Sequence, residues 1–379
     1  MSYVTVIKSV QPVTLGKRFE IDSEGKIKKS ATANVWEGKA TTLALGAPED
    51  LKKVIAHACE ATDLALMPGR FSNAPNGTKT RLVTEDKLAK LLNCEKERVP
   101  GGVQEIKGKK YAARLKRGIE SSDWLLIDAD NPEGIPQGWA ALDLEERLQM
   151  LEPIIPGLST CLRVEYRSSS ARVVRKGELP RVATHAWIQI SDASKIELLR
   201  EHVNVQMQLR GLSFKSPRYS KGTGYVIGHG ARTAIDLAVW VPGRLVFCSK
   251  PDLRADGYYL ADADVKIVNP DGGKLNVSDI KVPSQADLGK LREATGQKLS
   301  YSKQGTGLSI TDSSSLTWET PIEIKGRTRT LWEVVADMKP GDKVRCEATF
   351  RASSSEAAFI RLLESRMPLL HDGGASTNY

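Results

Sequence analysis

Residues 1–46 alternate between apolar and polar positions, and a helical repeat of apolar residues follows from Pro48. Phe19–Ile27 predicts a hairpin, because polar residues and Gly25 separate two short apolar runs. Apolar residues then recur at helical spacing from Pro48 to about Ala61, which predicts an amphipathic helix. His57 lies outside the apolar stripe of that helix, so we expect it at the surface.

Later segments predict further helices and strands. Asp143–Glu146 matches a capping box, in which the aspartate accepts from the first free amides and the glutamate reaches back. Ser194 is expected to cap another helix. Strands are predicted at Cys161–Tyr166 and again from His185. This mixture of helices and strands favours an α+β fold.

Trp124–Ile127 is a short apolar run that ends in two aspartates, Asp128 and Asp130, just before Asn131-Pro132. The run predicts a buried strand followed by a turn. Because side chains alternate along a strand, both carboxylates project from the same face at its end. Two carboxylates there repel each other unless a cation lies between them, and Mg²⁺ and Mn²⁺ take such hard oxygen ligands. The alternative is a strand that leaves the core at an ordinary turn.

Two later segments carry candidate chemistry. The loop Arg167–Arg172 combines three hydroxyls with two guanidinium groups, which suits a triphosphate, although a plain serine-rich loop has the same composition. Asp236 lies between Ile235 and Leu237 on a predicted strand. An unpaired charge between apolar residues is costly, which favours a third carboxylate of a metal site over a surface strand. A lone histidine at the start of a strand, such as His185, is more often a hydrogen-bonded structural residue.

Taken together, these segments resemble the motifs of the archaeo-eukaryotic primase superfamily, in particular the primase-polymerases of phages and plasmids. Leu126–Asp130 matches an h-h-D-h-D strand end, and Ile235–Leu237 matches a single aspartate between apolar residues. The second motif is a small hydroxyl residue shortly before a histidine. Either Thr184 or Ser168–Ser170, ahead of His185, matches it.

The resemblance covers roughly residues 110 to 251, and one departure concerns its second motif. A polar segment, Arg172–Pro180, separates the serine loop from the histidine and is longer than in compact members of the family. The resemblance implies a catalytic core with an N-terminal α/β module and a palm like an RNA-recognition motif (RRM), followed by a small mixed C-terminal unit. It also implies nucleotidyl transfer with Mg²⁺ or Mn²⁺ as the cofactor.

The candidate site residues form three sets. The catalytic and metal-binding set is Asp128, Asp130 and Asp236. The nucleotide-binding set is His185, for which the resemblance implies a contact with the nucleotide phosphates, with Ser168, Ser169, Ser170, Arg167, Arg172 and Thr184. The nucleic-acid-binding set comes from two basic segments and consists of Lys110, Arg114, Arg117, Lys215, Arg218 and Lys221. A solvated charged face is the alternative for both basic segments.

Composition narrows the class of protein. A chain of 379 residues with 40% hydrophobic content suffices for two or three packed domains. A net charge of +9 favours polyanionic partners. Five scattered cysteines without a C-x-x-C pair argue against a disulfide framework and a cysteine zinc site. No apolar run is long enough to span a bilayer, so we expect a soluble, cytoplasmic protein without a membrane partner.

The predicted organisation has five parts. They are 1–110, the N-terminal part of the core; 111–255, the palm with the three motifs; 256–299, an extension with a short helix at Gln285–Ala294; 300–317, a linker; and 318–379, a small accessory unit. The last part faintly resembles the segment that joins a primase to a helicase. No G-x-x-x-x-G-K-[ST] loop is found, so we expect the front part of a longer protein, with a replicative helicase in the same or another chain as a partner.

The leading hypothesis is a DNA-dependent primase-polymerase from a phage or plasmid, working in the cytoplasm of a bacterial host. It would make primers on single-stranded DNA and extend them by two-metal nucleotidyl transfer, with Asp128, Asp130 and Asp236 holding two divalent ions, using ribo- or deoxynucleoside triphosphates. Two other hypotheses stay open. A metal-dependent nuclease would leave the Ser168–Arg172 loop unexplained. A non-catalytic initiator that binds origin DNA would leave the aspartates idle, and no clear helix-turn-helix supports it.

Overall fold

The computed structural model describes most of the chain up to Ser284 and short segments beyond it. The described residues are 2–32, 34–131, 134–135, 137–180, 182, 184–219, 226–284, 286–287, 290, 299–301, 308–310, 321–324, 327–339, 342–346, 358–362, 368–372 and 377–378. They form a mixed α+β structure, which confirms the predicted class. No helix in these segments is long and apolar enough to cross a membrane.

The elements are numbered along the chain. The strands are β1 Ser2–Gln11, β2 Gly16–Ile21, β3 Ile27–Thr32, β4 Glu37–Leu45, β5 Leu64–Pro68, β6 Arg70–Phe71, β7 Lys79–Leu82, β8 Gln104–Ile106, β9 Lys109–Ala112, β10 Ile119–Glu120, β11 Trp124–Asp128, β12 Arg163–Tyr166, β13 Val173–Arg175, β14 His185–Gln189, β15 Ser213–Tyr219, β16 Val226–Thr233, β17 Asp252–Arg254, β18 Tyr258–Leu260, β19 Lys266–Val268, β20 Leu299–Tyr301, β21 Leu308–Ile310, β22 Pro321–Ile324, β23 Arg327–Thr330, β24 Lys343–Cys346, β25 Ala358–Leu362, β26 Pro368–Asp372 and β27 Thr377–Asn378. The α-helices are α1 Pro48–Glu60, α2 Glu85–Leu92, α3 Gln137–Ala140, α4 Leu144–Leu151, α5 Ile196–Leu209 and α6 Leu331–Ala336. Short 3₁₀ helices span Lys96–Arg98, Lys116–Gly118, Ala193–Lys195 and Leu237–Trp240.

The chain divides into two compact units. Unit 1 comprises Met1–Asn131, Gln137–Arg200 and Ile235–Ile280, and unit 2 comprises Pro132–Pro136, Glu201–Ala234 and Lys281–Tyr379. The predicted boundaries at residues 110 and 255 both fall inside unit 1. The five-part organisation therefore stays a prediction.

Three sheets make up most of unit 1. A six-stranded sheet has the order β5-β1-β4-β7-β9-β8, and a three-stranded sheet has the order β17-β2-β3. The third sheet, β11-β14-β12-β19, carries the first and second motifs. In it β14 pairs antiparallel with both β11 and β12, so β11 and β12 run parallel to each other. With α3 and α4 between them along the chain, they form a β-α-β unit split by a third strand.

The main core of unit 1 lies against one face of this third sheet. Residues two apart on β11 project from that face, and so do their partners on β14 and β12. The buried sheet residues of the core include Trp124, Leu126, Trp187, Val164 and Tyr166, and α1 adds Leu51, Ile55, Ala58 and Cys59. The apolar stripe predicted for α1 is therefore confirmed as its buried face, and His57 is exposed as expected.

Local sequence signals in unit 1 behave largely as predicted. β2 and β3 form the expected hairpin. Asp143 and Glu146 form the capping box of α4, with hydrogen bonds of 2.9 and 2.8 Å. The prediction for Ser194 was wrong. Asp192 caps this helical segment instead, because its carboxylate accepts from the Ser194 amide at 2.9 Å.

Unit 2 holds the β15–β16 hairpin, the β22–β23 pair and the four-stranded sheet β24-β25-β26-β27. Its described core is small and includes Ile322, Leu331, Cys346 and Ile360. β20, which begins one residue before the predicted linker at 300–317, pairs with β21 inside it. Most of the predicted helix at Gln285–Ala294 and the rest of the linker lie outside the described residues.

Candidate metal centre

Strand register brings the first two motifs together. Asp128, the last residue of β11, lies directly opposite His185, the first residue of β14. His185 in turn lies opposite Tyr166, the last residue of β12. Directly opposed residues project from the same face of an antiparallel pair. A row of carboxylate, imidazole and phenol therefore crosses the end of the sheet.

Asp130 reaches the same place although it lies two residues beyond β11. The amide of Ala129 donates to the Thr184 carbonyl at 3.0 Å, which prolongs the pairing of the two strands. Arg147 of α4 holds the turn from the other side, since its guanidinium donates to the Ala129 carbonyl and, at 2.8 Å, to Asn131 Oδ1. The turn is therefore anchored by both a neighbouring strand and a helix.

Three potential ligand atoms converge at this point. His185 Nε2 lies 3.3 Å from Asp128 Oδ1 and 3.9 Å from Asp130 Oδ1. One ligand atom from each residue lies within 4.8 Å of the others, so this group can hold a metal ion. Imidazole nitrogen and carboxylate oxygen form a donor set that several divalent ions accept.

The hydrogen bonding of His185 fits a metal ligand. Its Nε2 is buried and has no hydrogen-bond partner among the described residues, although it faces both carboxylates. Its Nδ1 lies 2.9 Å from the Tyr166 hydroxyl. A histidine that binds metal through one ring nitrogen commonly donates its other N–H to such a partner. Burial raises the pKa of the Tyr166 hydroxyl well above its usual value, so the phenol stays neutral.

The charged groups of this site shift one another's pKa values. Burial lowers the pKa of His185, but the charges of Asp128 and Asp130 outweigh it and raise that pKa above its usual value. Burial would also raise the pKa of Asp130, but His185, Lys17 and two hydroxyl donors lower it below its usual value. Without a metal, the neighbouring carboxylates therefore favour the protonated form of the His185 imidazole.

Asp130 has the most hydrogen-bond donors around it. Ser168 Oγ donates to its Oδ1 at 2.9 Å, and Thr184 Oγ1 donates to the same atom at 3.2 Å. Lys17 Nζ lies 3.6 Å from its other oxygen, Oδ2. Ser168, from one candidate segment for the hydroxyl of the second motif, and Thr184, the other candidate, thus contact the same carboxylate.

Asp236 differs from its prediction. It is not on a strand, because the chain turns after β16 and Asp236 caps the 3₁₀ helix Leu237–Trp240, accepting from the Ala238 amide at 2.9 Å. Its own amide donates to the Asp128 carbonyl at 3.0 Å. It therefore lies beside the first motif, but its carboxylate is outside the group of three potential ligands.

A cleft of about 200 Å³ opens over the group. It is lined by Gly16, Lys17, Ala31, Leu126, Asp128, Asp130, His185, Asp236, Val239, Leu245, Val246 and Phe247. Polar side chains from all three motifs therefore line the same cleft, together with apolar side chains. The β2–β3 hairpin supplies a part of the wall that the motifs do not contain.

The remaining nucleotide-binding candidates have different surroundings. Ser169 is buried, and its hydroxyl has no partner among the described residues. Ser170 accepts a hydrogen bond from Lys17 at 2.6 Å. Arg167 forms an ion pair of 3.1 Å with Asp264, two residues before β19.

The prediction for Arg172 has to be corrected. Its side chain is only 2% exposed, and its guanidinium donates to the carbonyls of Ala261 and Cys59 and to the Glu60 carboxylate. Three of the five N–H donors of this guanidinium bind protein groups, and its burial keeps the side chain away from a ligand in the cleft. Arg172 therefore ties the serine loop to α1.

The nucleic-acid-binding candidates fall into separate places. Lys110 is exposed on β9. Arg114 donates to the Gly243 carbonyl at 3.1 Å, and Arg117 pairs with Glu85 at 3.3 Å. Burial and the charge of Arg244 lower the pKa of Arg114. Lys215 and Arg218 belong to β15 of unit 2, but their side chains and the whole of Lys221 lie outside the described part.

Sequence reasoning missed Lys17, Tyr166 and Arg147 as parts of this site. Lys17 lies on β2, just before the predicted hairpin Phe19–Ile27, in a part of the chain for which no site residue was predicted. No pattern in the chain links it to Asp130, and only the folded sheets reveal the contact. Tyr166 could have been found from the predicted strand that it ends, had the pairing of that strand with His185 been known.

No protein-family model, curated protein or solved structure matches the chain.

Proposed function

We propose that this protein is a metal-dependent nucleotidyltransferase that makes primers on single-stranded DNA and extends them. The observation that carries the proposal is the convergence of the Asp128 and Asp130 carboxylates on the buried Nε2 of His185. The resemblance of these segments to primase motifs supplies the reaction class. The proposed fold is accordingly a primase core, with β11, β14 and β12 as part of its palm.

The residues have complementary roles in this reaction. Asp128, Asp130 and His185 would hold Mg²⁺ or Mn²⁺. Metal ions bound here would lower the pKa of a primer 3′-hydroxyl and stabilise the leaving pyrophosphate. Asp236 lines the same cleft and is the source of a third carboxylate. Phosphoryl transfer needs mainly alignment and charge neutralisation, so no covalent nucleophile is required.

The partners follow from the reaction. They are a single-stranded DNA template, a primer, nucleoside triphosphates and a replicative helicase in the same or another chain. The net charge of the chain, +9 at pH 7, favours binding of these polyanions. The proposed setting is phage or plasmid replication in a bacterial cytoplasm.

The direct test is incorporation of labelled ribo- and deoxynucleotides on circular single-stranded DNA, without primer, in Mg²⁺ or Mn²⁺. We expect new oligonucleotides from the native protein and a loss of at least about a hundredfold in Asp128→Asn and Asp130→Asn. Asp63→Asn is the matched control, since Asp63 pairs with Lys8 on the protein surface. Synthesis at the native rate in either motif variant would overturn the proposal.

Two other outcomes would replace it. Degradation of the template without incorporation would assign the same carboxylates to a nuclease. Specific retention of an origin duplex, with neither synthesis nor degradation, would favour a non-catalytic initiator.

A further inference from the structure

Lys17 enters the candidate metal centre from outside the three motifs. On the hairpin it lies opposite Ala31, and both residues line the cleft. Its Nζ donates to Ser170 Oγ at 2.6 Å and lies 3.6 Å from Asp130 Oδ2. The side chain is 20% exposed. The hairpin thus places a cation inside the cleft, beside a potential metal ligand.

The backbone at Gly16, directly before Lys17, packs closely against Ser249. Gly16 has a φ of +94°, which an L side chain rarely adopts. A Cβ at this position would also lie 2.7 Å from Ser249 Oγ. Only glycine lets β2 pass so close to Ser249, in the segment that follows the cleft-lining residues Leu245–Phe247.

A permanent ion pair with Asp130 does not account for the position of the Lys17 ammonium group. Asp130 Oδ1 already accepts from two hydroxyl groups, so the carboxylate does not depend on the lysine for its hydrogen bonds. The distance of 3.6 Å between Lys17 Nζ and Asp130 Oδ2 is longer than a direct hydrogen bond. An ammonium group has three donors, and its shortest contact is with the neutral Ser170 hydroxyl.

We propose that Lys17 is a polyphosphate-binding residue that exchanges one partner for another. Without metal it neutralises Asp130; when a divalent cation occupies the site, Lys17 and Ser170 turn to the phosphates of the incoming nucleotide. The inference rests on the proposed function, because it names the phosphate contact of the same site.

Charge explains the exchange. A divalent cation held by Asp128, Asp130 and His185 repels an ammonium group that lies 3.6 Å from one of these carboxylates. The phosphates of a triphosphate restore a negative partner at the same place. A lysine ammonium is a compact charge that binds phosphate well.

If Lys17 exchanges partners in this way, its replacement should change the affinities for Mn²⁺ and for a nucleoside triphosphate in opposite directions. Lys17→Met removes the competitor for Asp130, so Mn²⁺ should bind roughly threefold to tenfold more tightly in the absence of nucleotide. The same change removes a phosphate contact, so a nucleoside triphosphate should bind the Mn²⁺-loaded protein roughly tenfold more weakly. A lysine with a purely structural role would not separate the two affinities in this way.

The experiment measures Mn²⁺ binding by the loss of the free-ion electron paramagnetic resonance signal, and then dATP binding by calorimetry, without template. Lys8→Met is the matched control, because Lys8 pairs with Asp63 at 3.4 Å and does not line the cleft. Lys17→Arg keeps the charge and should leave the Mn²⁺ affinity within about twofold of native.

Tighter Mn²⁺ together with weaker dATP in Lys17→Met would support the exchange. Unchanged affinities, or weaker binding of both ligands, would overturn it, and so would a native protein that binds no Mn²⁺. A native protein that binds both ligands but makes no oligonucleotide would overturn the primase proposal while leaving the role of Lys17 intact.

Discussion

At the scale of single residues, His185 is the group on which the metal hypothesis depends. Its Nε2 faces two carboxylates without a hydrogen bond, and its Nδ1 contacts Tyr166. A neutral imidazole would turn the lone pair of this buried nitrogen toward two carboxylates, which is costly unless a proton or a metal ion binds it. A metal ion satisfies this atom and also relieves the repulsion between Asp128 and Asp130.

The pKa of His185 makes metal binding depend on pH. The carboxylates raise this pKa above 6.5 against the opposing effect of burial. In the metal-free protein, protonated His185 therefore contributes stability at low pH, and this stability is lost as the pH rises through the raised pKa. A metal ion requires neutral imidazole and must displace the proton at low pH.

We therefore expect Mn²⁺ to raise the melting temperature more at about pH 8 than at about pH 6. In His185→Gln most of this difference should disappear, whereas His57→Gln, a change on the exposed side of α1, should keep it. An equal Mn²⁺ shift at both pH values in the native protein would contradict a histidine ligand.

Tyr166 should act on the metal through His185. Tyr166→Phe removes the hydroxyl that lies 2.9 Å from His185 Nδ1 while keeping the ring in the core. Loss of such a partner typically lowers metal affinity by about tenfold to a hundredfold. Mn²⁺ titration checks this, with Tyr111→Phe on β9 as the control; native affinity in Tyr166→Phe would exclude this role.

At the scale of elements, α4 supports the turn that carries Asp130. Arg147 is 4% exposed, and its guanidinium bridges the carbonyls of Ala129 and Ala140 and the Asn131 side chain. It also lies over the Trp139 ring, 5.6 Å from the centroid. The helix and the carboxylate turn are therefore held together by one side chain.

Arg147→Met should lower the free energy of unfolding by about 1 to 3 kcal/mol, because buried carbonyls lose their donor. It should also weaken Mn²⁺ binding, since the turn is then less well fixed. Chemical denaturation and Mn²⁺ titration measure the two effects. Arg98→Met, at an exposed ion pair with Glu95, should change neither by much, and equal behaviour of the two variants would contradict the support by Arg147.

At the scale of the whole molecule, local signals predicted local structure well. The hairpin at β2–β3, the buried stripe of α1 and the capping box of α4 each depend on residues a few positions apart. The contact between Asp128 and His185 was not predicted, because strand pairing over such a separation leaves no trace in the local pattern.

The failures have equally physical reasons. Asp236, between apolar neighbours, has the pattern of a strand, yet the chain turns there and its carboxylate caps a 3₁₀ helix. Arg172 lies in a loop whose composition suits a phosphate. Its buried guanidinium instead donates to the Ala261 and Cys59 carbonyls and to the Glu60 carboxylate. Lys17 carries no motif at all, and only the folding of the hairpin against the cleft gives it a role.

The most direct test of the metal centre is anomalous diffraction from crystals soaked in Mn²⁺. We expect one strong peak between Asp128 Oδ1, Asp130 Oδ1 and His185 Nε2, at about 2.0 to 2.3 Å from each ligand atom. The peak should be absent from crystals of Asp128→Asn/Asp130→Asn. A well-ordered native site without a peak, or a peak elsewhere only, would contradict the assignment.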